Sequence, residues 1–220
     1  MDFSNVIKIK EQFLTESIAT LYMLFWTALI AGIIGLFLGI ILILTREGGL
    51  MANKSFYNFL DKIVNVGRSI PFIIMLAIIS PFTKALIGTT IGNKAAIVPL
   101  VIGAAPFYAR QVEAAMATVN SGVIEAARSM GLGPIEIIRK VWLPESTTAL
   151  IRASTLTLIS LLGLTAMAGA VGAGGLGKLA VSVGYHRFQD DVIVVATVLI
   201  LVIVFIIQII GNLLERRSTH

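Results

Sequence analysis

The 220-residue sequence contains no cysteine, so a disulfide framework, a cysteine-ligated zinc site and thiol chemistry are excluded. Charge is scarce too: Asp, Glu, Lys and Arg make up 13% of the chain, against 57% hydrophobic residues and a mean hydropathy of +0.94. That balance is too apolar for a soluble domain of this length and places the chain in lipid. Histidine occurs twice, at His186 and His220. With no second histidine at ligand spacing, His186-Arg187 and Asp190-Asp191 read as a solvated loop rather than a metal or acid–base site. The net charge of +5 comes from Lys and Arg residues scattered between apolar segments, with no dense run. That pattern fits membrane orientation and does not fit a nucleic-acid partner. No nucleophile–base arrangement is present, so an enzyme is not expected.

Charge is missing entirely from three long apolar runs, 17–45 (29 residues), 153–177 (25) and 192–214 (23). A bilayer core needs about 20 apolar residues, so each is long enough to cross. Proton- and sodium-coupled carriers place ionisable groups in mid-membrane, and secondary transport is therefore disfavoured. The first run is too long for a signal-peptide core and has no small-residue cleavage pattern after it, so its removal is not expected. Within it, Gly35 and Gly39 form a GxxxG pair that lets a second helix approach closely.

Two shorter windows, 69–83 and 95–109, are broken by Pro71, Pro81, Pro99 and Pro106. The first reads as a kinked helix, entered from an amphipathic segment in which Phe56, Leu60, Ile63 and Val64 share a face. The second runs on into Arg110 and Glu113, an i, i+3 pair. Both are expected to bury irregular backbone in protein, since lipid cannot satisfy freed polar groups. The fold expectation is all-α and integral to a membrane. Five transmembrane helices are expected at about 17–45, 69–87, 95–117, 153–177 and 192–214, after a polar or interfacial lead-in at 1–16. A short loop is expected at 178–191 and a tail at 215–220.

The polar stretch 120–146 stands between these runs like a handle. Two short helices are readable in it, from about Asn120 through Met130 and from Pro134 to just before Pro144, separated by Gly131 and Gly133. On the second, Ile135, Ile138 and Val141/Trp142 recur at helical spacing, with Glu136, Arg139 and Lys140 between them. Arg139 and Lys140 fit a solvated face, a lipid-headgroup contact or a partner contact equally well. With five spans, the handle's side carries eleven Lys and Arg residues and the other side six. The positive-inside rule then puts the handle and C-terminus in the cytoplasm and the N-terminus outside.

Gly172-Ala-Gly-Gly-Leu-Gly177-Lys178 matches G-x-G-x-x-G and the first seven positions of a phosphate loop. Position eight is Leu179, which has no hydroxyl for Mg²⁺, and what precedes it is a membrane span. The expected structure is a span end of small residues where helices pack closely or the chain bends.

Glu125-Ala126-Ala127, Gly131, Val141, Leu143 and Pro144 resemble the EAA loop of permease subunits of ATP-binding-cassette importers, with Val141 where isoleucine is usual. Further stretches resemble the permease subunit of methionine importers in particular: Arg68-Ser-Ile-Pro-Phe-Ile-Ile74, Ala96-Ile-Val-Pro-Leu100, Val101-Ile-Gly-Ala-Ala-Pro-Phe107, Ala109-Arg-Gln-Val-Glu113 and Gly169 to Gly177. The likeness runs from about residue 18 to the end of the last span.

The resemblance implies a type I importer permease in a bacterial inner membrane, working as a homodimer with a cytoplasmic ATPase dimer and an extracytoplasmic methionine-binding protein. No cofactor would bind this chain; ATP and Mg²⁺ would sit on the ATPase. Closure of the ATPase pair would drag the coupling helices together and turn the pathway outward. The coupling residues would be Glu125, Ala126, Ala127, Gly131, Pro134, Val141, Leu143 and Pro144. Glu125 is expected in the first turn of its helix, with Ala126 and Ala127 leaving room for docking. Met167, with Phe107 and Tyr108, is a pathway candidate because a polarisable thioether among small residues suits a thioether substrate; filling a packing gap is the equal alternative. The same machinery for another small amino acid, and a non-transporting scaffold, are the other readings.

Overall fold

The computed structural model describes residues 4–218, so Asp2 of the lead-in and the terminal His220 lie outside the described residues. The elements in order are α1 (Ser4–Lys8), α2 (Lys10–Thr45), α3 (Lys54–Ser69), α4 (Phe72–Ile87), α5 (Asn93–Met116), α6 (Ser121–Ser129), α7 (Pro134–Ile137), α8 (Leu143–Glu145), α9 (Thr147–Ala168), α10 (Leu176–Lys178) and α11 (Asp190–Ser218). Wider π-type turns occupy Ile138–Trp142, Gly169–Ala173 and Leu179–Tyr185. No strand occurs among the described residues, as the all-α expectation requires.

Among the described residues, four helical stretches are long and apolar enough to cross a membrane: Lys10–Thr45, Asn93–Met116, Thr147–Ala173 and Asp190–Ser218. The pair α3 and α4 passes the same test only together, bent by 108° at Ile70-Pro71. The kink expected before the second apolar window is thus a sharp corner, because Pro71 cannot continue α3 and disfavours helical dihedrals at Ile70. The α3 face differs from the one read in sequence. Val64 is buried, whereas Phe56 and Ile63 are exposed, because α3 turns the side carrying Tyr57, Asp61, Val64 and Gly67 toward α5. The break expected in the proline-containing third window is absent: α5 runs unbroken through Pro99 and Pro106. Its neighbours α2 and α9 share with it one core, in which Met23, Leu100, Ala104, Leu161 and Leu162 are buried.

The central contact is α2 against α5. A Cβ on Gly35 would lie 2.8 Å from the Ala105 carbonyl oxygen, and one on Gly39 would lie 2.6 Å from that of Ala109. The GxxxG pair therefore meets a helix of its own chain, and hydrogen at these two positions is what permits the approach.

Four boundaries need correction. The lead-in at 1–16 is helical from Ser4, and α2 already starts at Lys10. The run 153–177 is not one straight span, because positive φ at Gly172 (+105°), Gly174 (+90°) and Gly175 (+80°) turns the chain back after α9. Gly177 then lies so close to α9 that an added Cβ would fall 2.1 Å from the Ala166 carbonyl oxygen. The stretch after it is a loop only at 186–189: helical turns run to Tyr185, and Leu176, Leu179 and Val183 recur at helical spacing and pack on Phe13, Val192 and Ala196. Finally, α11 continues through the expected tail to Ser218, held by the Arg152–Glu215 ion pair and a 3.0 Å contact between the Thr148 and Ser218 hydroxyls.

Candidate functional site

The handle begins at Asn120, whose side-chain oxygen accepts the Gly122 N–H at 2.8 Å and caps α6. The helix α6 is closed off at Gly131, where φ is +83°. Leu132 N–H donates to the Ala127 carbonyl (3.3 Å) and Gly131 N–H to that of Arg128 (3.0 Å). This double closure satisfies the last carbonyls and fixes the turn, which only glycine adopts without strain. The second helix starts at Pro134, and the Glu136 carboxylate reaches back to accept Gly133 N–H at 3.3 Å. Lys140 Nζ lies 2.9 Å from the same carboxylate. That ammonium, then the Gly133 N–H, hold the Glu136 carboxyl below its ordinary range.

The second helix does not stop before Pro144. Its hydrogen bonding widens by one residue, with Leu143 N–H donating to the Ile138 carbonyl, and helix resumes through Glu145. A wide turn of this kind accommodates Pro144, which has no N–H to donate. It also shifts the buried face: Ile137 and Trp142, five residues apart, point inward, while Ile135 is 70% exposed. Trp142 Nε1 donates to the Met116 carbonyl at 2.8 Å, tying the handle to the end of α5. Ile43, Leu44, Val112 and Met116 share a buried cluster with the indole, so the handle is packed directly on α2 and α5.

Among the expected coupling residues, Glu125, Ala126, Gly131, Pro134 and Pro144 are exposed, Val141 and Leu143 are half-buried, and Ala127 is buried. Ala127 therefore makes room for its own chain rather than for a partner. Glu125 is the fifth residue of α6, beyond the first turn, because the helix starts at Ser121. The outward surface of the handle carries Glu125 and Arg128 beside exposed Val123, Met130 and Ile135.

The pathway candidates do not converge. Tyr108 packs over Gly35, and its hydroxyl is 2.8 Å from that of Ser154. Phe107 lines a separate cleft of about 450 Å³ with Arg68, Met75, Thr157, Ser160 and Leu164, and the Arg68 guanidinium stands 5.9 Å from its ring centre. Met167 lies one turn past Leu164 and is 50% exposed, in a row with Leu156, Ser160, Gly163 and Val171.

The glycine-rich turn holds no vacant phosphate cradle, because the chain's own carboxylate is in it. Glu16 Oε2 accepts Gly175 N–H at 2.5 Å, and Glu16 Oε1 lies 2.6 Å from Lys178 Nζ. Thr20 Oγ1, one turn on, accepts Leu176 N–H at 2.8 Å. Sequence reading missed this use of Glu16, whose only visible signal was its i, i+4 relation to Thr20. It also missed the polar cluster joining α3 to α5. There, Glu113 accepts from Tyr57 (3.0 Å) and Arg110 (2.6 Å), and Arg110 also pairs with Asp61. The Arg110–Glu113 contact was the readable part of that cluster; its α3 partners, four residues apart, gave no distinct signal.

A family model described as binding-protein-dependent transport system inner membrane component matches residues 33–220. The chain is 45% identical over 207 residues to the probable D-methionine transport system permease protein of Vibrio cholerae, covering 94% of this chain and 92% of that one. It is 53% identical over 176 residues to the methionine import system permease protein of Bacillus subtilis, covering 80% of this chain and 79% of the other. The fold superposes on a chain of the inward-facing MetNI methionine ABC transporter with a TM-score of 0.95 at 44% identity, covering 97% of this chain and 99% of that one. At 22% identity, a chain of an amino acid ABC transporter shares the fold with a TM-score of 0.81. The chain therefore belongs to the family of binding-protein-dependent transport system inner membrane components, a multi-pass membrane subunit rather than an enzyme.

Proposed function

We propose that this chain is the membrane-spanning subunit of an ATP-driven importer for methionine, working as a homodimer with a cytoplasmic ATPase dimer and an extracytoplasmic binding protein. In this reading the bent α3–α4 pair is one of five spans, the handle and C-terminus are cytoplasmic and the N-terminus is outside; the excess of Lys and Arg on the handle's side supports that orientation. ATP and Mg²⁺ belong to the ATPase.

The observation that carries the coupling role is the handle. It exposes a carboxylate, Glu125, among small and apolar side chains, and Trp142 anchors it to the end of α5. An amphipathic helix pair of this kind can seat in a groove on a partner, and its rigid attachment would pass a push to the spans. Methionine as the substrate is supported by the 53% identity to a methionine import permease and the 0.95 superposition on a methionine transporter chain. Met167 and Phe107, on or beside the exposed row of α9, would contact the solute. Tyr108, held by Ser154, would instead brace α5 against α9.

The test is ATP-dependent uptake of labelled methionine into vesicles containing this chain with its ATPase and binding protein, for wild type and Glu125→Lys. Uptake by the wild type and its loss in the variant, with the complex still assembled, is the expected result. ATP hydrolysis without methionine uptake in the wild type would redirect the reading to another amino acid. Failure to associate with any ATPase would overturn the importer reading.

A further inference from the structure

Between α9 and α11 runs an open groove of about 750 Å³, walled by Leu150, Leu158, Ile207, Ile210 and Leu214, with Arg139 at one end. Its hydroxyl-bearing residues present no unmet donor. Thr147, Ser154 and Thr155 donate their hydroxyls to the carbonyls of Leu143 (3.0 Å), Leu150 (2.8 Å) and Ile151 (2.9 Å) in their own helix. The wall is therefore compatible with a saturated hydrocarbon. At the floor, Gly211 lets the helices close, since an added Cβ would lie 2.3 Å from the Thr155 hydroxyl oxygen.

The groove's length has a physical counterpart. From Thr147 to Leu158 the rise along α9 is about 16 Å, close to the roughly 15 Å that one leaflet contributes to a 30 Å hydrocarbon core. The groove opens beside the handle, at the charged end of both helices, and its far end at Leu158 lies about one leaflet's depth along α9 from Thr147. At its open end Arg139 is exposed and forms no ion pair among the described residues, whereas Arg152 nearby is paired with Glu215. Arg217, three residues past Leu214 and so on the same side of α11, adds a second exposed cation at that end. An apolar trough one leaflet deep with guanidinium groups at the headgroup level matches one occupant, a lipid with an anionic head.

We infer that the α9–α11 groove binds an anionic phospholipid of the leaflet on the handle's side, with an acyl chain in the trough and the phosphate at Arg139. Lipid held there contacts Leu143 and Pro144 as well as α11, and so couples the handle's attachment point to the membrane. The inference rests on the chain's membrane placement, not on its solute.

Native mass spectrometry of the full-length chain, purified in mild detergent with its co-purifying subunits, tests this with added phosphatidylglycerol or phosphatidylcholine. The wild type should retain phosphatidylglycerol preferentially. Arg139→Gln should lower that preference about fivefold, and Arg139→Lys should keep most of it. Ile210→Trp, which fills the trough at a half-exposed position, should reduce retention of both lipids. Equal retention of the two lipids by the wild type, or an unchanged preference in Arg139→Gln, would overturn the proposal. So would efficient disulfide cross-linking of Ile210→Cys between two copies, because a protein would then occupy the groove; the cysteine-free background makes that experiment clean. The assay reads lipid without substrate, so its failure leaves the transport reading intact.

Discussion

Glu16 and Gly175 are 159 positions apart in sequence, yet the carboxylate of the first accepts the backbone N–H of the second at 2.5 Å. That contact, with Lys178 on the other carboxylate oxygen, fixes the turn that reverses the chain after α9. Glu16→Ala should lower stability by about 1–3 kcal/mol, since it leaves a part-buried N–H unpaired. Glu16→Gln, which can still accept that bond, should lose less. Thermal unfolding of the detergent-solubilised chain checks the order, and equal losses would contradict it.

Gly39 faces the backbone of α5 with no room for a side chain. Gly39→Leu should cost about 1–3 kcal/mol through overpacking and reduce the yield of folded protein. Gly32→Leu, at a glycine with open space around it, serves as the control and should be close to neutral. Size-exclusion profiles and melting temperatures of the two variants provide the comparison.

Arg110 supplies both carboxylates of the α3–α5 cluster with a cation, and Glu113 is 7% exposed. Arg110→Met should destabilise by about 3 kcal/mol because it strands a buried charge. Arg110→Met combined with Glu113→Leu should recover part of that loss. A double-mutant cycle on unfolding midpoints measures the coupling, and additive losses would count against a working pair.

The Glu136 carboxyl, held low by Lys140 and Gly133 N–H, gives the handle a defined acid response. A carboxyl with a lowered folded pKa contributes stability that is full above its unfolded value, 4.5, and is lost as the pH falls through the lower folded one. The start of α7 should therefore be unchanged from pH 7 to 5 and loosen only below about 4.5. Lys140→Met should move the Glu136 titration upward. Carbon-13 NMR of glutamate-labelled full-length protein follows both.

Met167→Leu keeps the volume of an exposed side chain on α9 and removes its sulfur. If the row from Leu156 to Val171 borders the solute route, uptake should change in KM or kcat while the complex still assembles. Unchanged uptake kinetics would assign Met167 to packing.

Much of the candidate site was legible before the structure. The handle's two helices, the glycine between them and the proline that opens the second could be read because caps and turns obey local dihedral rules that the residue types alone enforce. Its inner face was not legible. A single widened turn at Ile138–Trp142 moves the burial from Ile135 to Ile137, and the hydrogen-bond shift that does this is invisible to a 3.6-residue periodicity. The reversal after α9 was read only as small residues, since glycine permits positive φ without requiring it.

By itself the sequence determined that the chain belongs in a membrane, that its apolar segments are helical and that a polar handle stands between them, because hydropathy and periodicity act over neighbouring residues. Only the tertiary structure decided that Glu16 fills the glycine-rich turn, that Gly35 and Gly39 meet α5, that Trp142 hangs the handle from Met116, and that α9 and α11 leave a groove ending at Arg139. Those partners lie from 26 to more than 150 residues apart. Which of them meet depends on how whole helices pack, and no local pattern carries that.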